Sequence, residues 1–149
     1  MENIILNEEE SLEKRFERER LEWNEKIANI SNKLKNVFDI PELMTTIYTE
    51  RQRCVDYYHY LMDWVIKINK KYSSAYSERY DYYTTKSQIR YPTENAKHNR
   101  ILTDLHEIVE KREILSNHAK FIDQCIKTID SIIYGISKRV EIEQISRGK

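Results

Sequence analysis

The sequence predicts an all-α protein of long helical, coiled-coil arms ending in an amphipathic oligomerisation helix. Three observations carry this. Among 149 residues there are only 2 Gly and 2 Pro, which strands and tight turns use heavily. Charged residues make up 34 %, as on the solvated faces of coiled coils. From Ile101 to Val140, apolar residues recur at steps of three and four: Ile101, Leu105, Ile108, Leu115, Ala119, Ile122, Ile126, Ile129, Ile133, Ile136 and Val140. One slot of that seam, Arg112, is charged. From Ile122 to Ile136 both core positions are Ile, which in parallel coils favours three or more strands over two. Cys125 and Ile132 widen the seam, so it buries against several neighbours. Leu, Ile, Val and Phe are too few for a globular core of this size, so helices from other copies are expected to complete it. Ile122, Ile126, Ile129, Ile133, Ile136 and Val140 are the expected oligomerisation residues.

The chain reads as a single all-helical domain over residues 1–149. A charged helix occupies about 1–38, with its body from Glu8 to Asn36 and a stripe of Leu12, Phe16, Trp23, Ile27, Ile30, Leu34 and Val37. Phe38-Asp39-Ile40-Pro41 ends it, and Asp39 with Glu42 resembles a capping box. A second helix covers about 41–90, running unbroken from Pro41 to about Lys86. Leu43, Ile47, Cys54, Tyr58, Leu61, Val65, Ile68, Tyr72, Ala75 and Tyr82 form its stripe. About 45 residues of helix span about 68 Å, a length typical of a coiled-coil arm. Thr84 to Lys97, with Pro92, Thr93 and Asn95, is the expected break. The C-terminal oligomerisation helix follows over about 95–146. Ser116-Asn117 is a turn or a mere step, and because the heptad crosses it in phase a continuous helix is favoured. No internal repeat or low-complexity tract is present.

Formal net charge is zero, so no global field announces a nucleic-acid or membrane partner. The local balance is uneven. Met1 to Glu22 carries eight acids against four bases, a net −4, and Lys67 to Arg100 carries eight bases against three acids, a net +5. Cys54 and Cys125 lack close-spaced partners and read as reduced intracellular thiols. The acidic start, MENIILNEEE, is no signal peptide, and no stretch approaches the roughly 20 apolar residues of a membrane span. A cytoplasmic protein without a membrane partner is expected. Phosphate loops, HExxH, GxSxG and close Cys–His pairs are missing, so no enzyme and no cofactor are predicted. His59, His98, His106 and His118 lack a partner at four-residue spacing, and His106 with Glu110 reads as a solvated pair rather than as metal ligands.

Tyrosine supplies the second signal. Nine of eleven fall between Tyr57 and Tyr91, interleaved with Lys67, Lys70, Lys71, Arg79, Lys86 and Arg90. Cations that track phosphates and aromatic faces that accept unstacked bases together bind single-stranded nucleic acid. The bland alternative makes Tyr72 and Tyr82 seam residues and the cations a solvated flank. Tyr76, Tyr80 and Tyr83 leave the seam and are expected to lie exposed beside Arg79.

Arg79-Tyr80-Asp81-Tyr82-Tyr83-Thr84-Thr85-Lys86 resembles the R-x-D/L-Y-Y-T/S-G-K segment of the UvsY-type recombination mediators of T-even-like bacteriophages. Phe121-Ile122, Ile126 to Ile133 and Ile136-Ser137-Lys138-Arg139 resemble their C-terminal amphipathic helix, and Asn36-Val37-Phe38-Asp39-Ile40 their early loop. The resemblance covers about Lys35 to the C-terminus. Thr85 stands in place of the family's Gly, Ser77 in place of a Lys, and the terminal Trp and Phe are missing; the helix before Ile27 has no clear counterpart. The resemblance implies a homo-oligomeric ring, of six or seven protomers, formed through the C-terminal helix. It implies binding of single-stranded DNA and contact with the phage recombinase and the single-strand-binding protein, in the bacterial host cytoplasm. Such a mediator helps the recombinase load onto strands that the binding protein covers. It places DNA contact at Arg79 and, more loosely, at Lys70 and Lys71. With the basic, Tyr-rich composition, the expected DNA-binding residues are Lys70, Lys71, Arg79, Tyr80, Tyr83, Lys86 and Arg90. The competing class is a structural coiled-coil scaffold or assembly protein without DNA binding.

Overall fold

A computed structural model describes residues 11–35 and 40–148. These form four α-helices and no strand: α1 (Leu12–Lys33), α2 (Ile40–Asp81), α3 (Glu94–Asp104) and α4 (His106–Arg147), with a π-helical turn, Tyr82–Lys86, ending α2. The all-α expectation therefore holds. Residues 8–10 of the expected first helix, the Asp39 capping box, the Asn36–Ile40 loop up to residue 39, and the acids before Glu13 lie outside the described residues. Among the described residues no helix is long and apolar enough to cross a membrane.

Each helix start has a sequence cause. Ser11 caps α1, its hydroxyl accepting from Lys14 N at 3.3 Å, with Glu13 in the first turn and Lys33 in the last. Pro41 sits in the first turn of α2, where its missing N–H costs nothing. Thr93 caps α3, accepting from Ala96 N at 3.1 Å. The helix runs through Ser116-Asn117 without a break, and the interruption falls at Leu105 instead. Leu105 adopts φ −101° and ψ 15°, yet Leu105 N still reaches Ile101 O and Val109 N reaches Leu105 O, both at 3.0 Å. His106 Nδ1 lies 3.1 Å from Thr103 O, so a side chain takes a carbonyl that the regular helix would have used.

By its contacts the chain divides into two compact units, Met1–His59 with His118–Lys149, and Tyr60–Asn117. At 42 residues each, α2 and α4 run about 63 Å and contribute to both. In the first unit α1 lies antiparallel to the start of α2, with Lys26 Nζ 3.4 Å from Glu50 Oε2. It runs alongside α4 from His118, which stacks on Phe16, to Arg139, which donates to Leu34 O at 2.9 Å. Buried positions recur every seven residues: Phe16, Trp23 and Ile30; Ile47 and Cys54; Ile122, Ile129 and Ile136. Each such side chain contributes roughly 1.5–3 kcal/mol through burial. Ile122 and Ile129 are 0 % exposed and Ile136 6 %, so within the single chain these three expected oligomerisation residues lie in the core of this unit. Ile126, Ile133 and Val140 stay half-buried.

The core of this unit contains a polar cluster. His118, fully buried, stacks on Phe16 with ring centroids 3.9 Å apart and donates from Nε2 to Glu19 Oε2 at 2.8 Å. The Tyr57 hydroxyl donates to the same oxygen at 2.5 Å, and Arg15 to Oε1 at 3.1 Å. One carboxylate thus ties α1, α2 and α4. Burial pushes the Glu19 pKa up, but the hydrogen bonds from His118, Tyr57 and Arg15 outweigh it and hold the group below its ordinary value.

In the second unit Leu61, Val65, Ile101, Leu105 and Leu115 are buried. Arg112, the charge in the seam, lays its guanidinium 4.2 Å from the centroid of the Tyr72 ring, so the slot is filled by a cation–π contact.

Candidate nucleic-acid interface

The end of α2 is where the charged and aromatic residues gather. Thr84 Oγ1 donates to Tyr80 O at 2.8 Å and Thr85 Oγ1 to Asp81 O at 2.7 Å. These hydroxyls occupy carbonyls four residues back, and the last turn widens: Ser87 N closes on Tyr82 O, five residues back, at 2.9 Å. Ser87 then holds the following loop, its Oγ donating to Ile89 O and accepting from Ile89 N, each at 3.1 Å.

The tyrosines divide into two groups. Tyr72, Tyr76 and Tyr80 form a ladder, with centroids 5.9 and 6.5 Å apart. The partners of Tyr76 and Tyr80 come from α3, which no spacing within α2 reveals. The Tyr76 hydroxyl lies 2.7 Å from His98 Nδ1, and Tyr80 donates to Glu94 Oε2 at 3.2 Å. Lys97 Nζ sits 4.6 Å from the Tyr80 ring centroid and donates to Thr84 Oγ1 and Glu94 Oε1, both at 3.2 Å. Tyr83 donates to Asp104, and Arg100 Nε donates to the Tyr83 oxygen at 3.2 Å. The hydrogen bond to Asp104 comes first among the causes that raise the Tyr83 pKa, followed by burial. Tyr76 and Tyr83 are therefore half-buried packing residues, contrary to the expectation that they lie exposed. Tyr80 is 36 % exposed with its hydroxyl tied down.

Tyr82 behaves the other way. The stripe predicted it in the seam, but it is 43 % exposed, edge-on to Tyr83 at 5.1 Å. Because α3 covers the Tyr80 and Tyr83 side of the helix, the neighbouring side is left to solvent. Tyr82 lines an open cleft of about 400 Å³ with Glu78, Arg79, Asp81 and Lys86. The structure thus brings together Arg79 and Lys86 of the expected site and adds Tyr82, whose signal was only its place between them. Lys70 and Lys71 are exposed on α2, about 12–14 Å upstream of Arg79 along the axis. Arg90 is exposed in the loop and does not line the cleft. Among the described residues none of these five cations forms an ion pair. No group of three or more His, Cys, Asp or Glu among them is placed to hold a metal, and His106 and Glu110 are both exposed.

The chain matches no protein-family model, no curated protein and no solved structure.

Proposed function

We propose that this chain is a homo-oligomeric recombination mediator of the UvsY type. It binds single-stranded DNA and promotes loading of a phage recombinase onto strands covered by single-strand-binding protein, in the bacterial host cytoplasm. The observation that carries the reading is the exposed Tyr82 ring lining one cleft with two cations, Arg79 and Lys86, that form no ion pair among the described residues, at the end of α2. Lys70, Lys71 and Arg90 extend the positive surface on either side in sequence. An aromatic face flanked by cations suits a strand whose bases are unstacked and whose phosphates lie alongside. Each such site is weak, and linking several in a ring multiplies avidity by about 10²–10⁴. With Ile122, Ile129 and Ile136 buried inside the protomer, the surface for assembly is the outer side of α4. Tyr134, Ile142 and Ile145 are 65, 64 and 63 % exposed there.

Tying Tyr80 and Tyr83 into α3 favours the second reading, a helical scaffold without a nucleic-acid partner. A salt titration of oligo(dT) binding by the full chain, with the mass of the complex measured, separates them. Tight binding that weakens as salt rises supports the mediator, and no binding at low salt overturns it in favour of the scaffold.

A further inference from the structure

The cleft beside Tyr82 is more than a phosphate site. Its four charged residues are Glu78 and Asp81 against Arg79 and Lys86, so their formal charges cancel. A surface that only tracked a backbone would gain by replacing the two carboxylates, which repel phosphates. Neither carboxylate forms an ion pair among the described residues, and both are exposed. A flat ring, two free acceptors and two cations within about 400 Å³ match one nucleotide: ring to base, cations to its phosphates, carboxylates to the hydrogen-bonding edge.

We infer that this cleft holds one unstacked base of the bound strand, and that Glu78 and Asp81 make it prefer cytosine over thymine. The inference rests on the DNA-binding reading above. Cytosine presents its N4 amino group where thymine presents O4. A carboxylate accepts from the amino group and repels the carbonyl oxygen. Selection for unpaired strands comes from the Tyr82 ring, which needs an unstacked base.

The test is binding of the full chain to oligo(dC) and oligo(dT) of equal length at neutral pH, by fluorescence anisotropy across a salt series. Wild type should favour oligo(dC) by roughly three- to tenfold, the low end of base-edge discrimination for an open site. Both strands should show the same salt slope, because they carry the same phosphates. The Glu78→Gln/Asp81→Asn double variant has amides that donate to O4, and should lose or reverse the preference. Circular dichroism confirms that the variant is folded. Equal affinities in wild type, a preference for oligo(dT), or a cytosine preference retained by the variant would each overturn the inference while leaving DNA binding intact. Absence of binding to either strand overturns both.

Discussion

Glu19 and His118, ninety-nine residues apart in sequence, meet at 2.8 Å in the core of the first unit, and the same carboxylate oxygen receives Tyr57. The pairing makes the stability of this unit depend on one ionised group. Replacing Glu19 with Gln should cost about 1–3 kcal/mol at neutral pH, the usual cost of losing hydrogen bonds to a charged group. Because the folded pKa lies below the ordinary 4.5, the stabilisation is fully present above that value. It is lost as pH falls through the lower folded value. Denaturant unfolding of wild type and Glu19→Gln should therefore converge on acidification. A gap that persists at low pH would show that the carboxylate acts by shape alone.

On α4 the proposed assembly surface and the core are separable by mutation. Ile129→Ala, at a fully buried position, should cost about 2–5 kcal/mol. Ile142→Asp with Ile145→Asp, at exposed positions, should leave the unfolding midpoint almost unchanged while lowering the sedimenting mass. An unaltered mass would place assembly elsewhere on the chain.

Cation and ring should give different salt signatures at the proposed DNA site. Arg79→Ala should weaken binding to all strands and flatten the log–log salt slope by about 0.7. Tyr82→Ala should cost about 1–3 kcal/mol of stacking with the slope kept. Tyr83→Phe loses the hydroxyl that reaches Asp104 and should act on stability before it acts on binding. If Tyr83→Phe instead weakens binding in a fully folded protein, the division of roles between the two rings fails.

The thiols should be inert in the folded protein. Burial pushes Cys54 up to about 12, with the nearby Cys125 and Glu50 adding to it, and burial pushes Cys125 up to about 11. An aromatic disulfide reagent at pH near 8 should titrate neither thiol until denaturant is added. Rapid labelling of the native chain would show that the core opens.

Gly135 lies within α4, and a Cβ built there meets nothing within 4 Å. Gly135→Ala should raise stability by roughly 0.5–1 kcal/mol through restored helix propensity. A loss of stability or of mass would mean that another protomer approaches closely at this point.

The sequence allowed the helices to be read because their buried positions obey a period. The Leu115, Ile122, Ile129 and Ile136 series is apolar in sequence and buried in space. The partner of that series was less legible. Periodicity marks a face as buried without saying against what, and Phe16, Trp23 and Ile30 of α1 help fill the same core. The break at Leu105 was hidden because an apolar residue keeps the heptad in phase while its backbone leaves it. His118 looked isolated because helical spacing reveals only neighbours on the same helix, whereas its partners Glu19 and Tyr57 arrive from α1 and α2. At the candidate site the cations were legible from composition. Which tyrosine faces outward was decided by α3, through Glu94, Lys97, His98 and Asp104, and no local pattern encodes that choice.

The five-residue turn at Tyr82–Lys86 holds one residue more than ordinary winding requires. It is a reservoir of slack placed where α2 gives way to the loop that Ser87 holds. Removing a single residue here would return the turn to regular winding. A one-residue insertion or deletion would therefore re-aim Lys86 relative to Arg79 on the cleft wall, a coarse dial that point substitution does not supply.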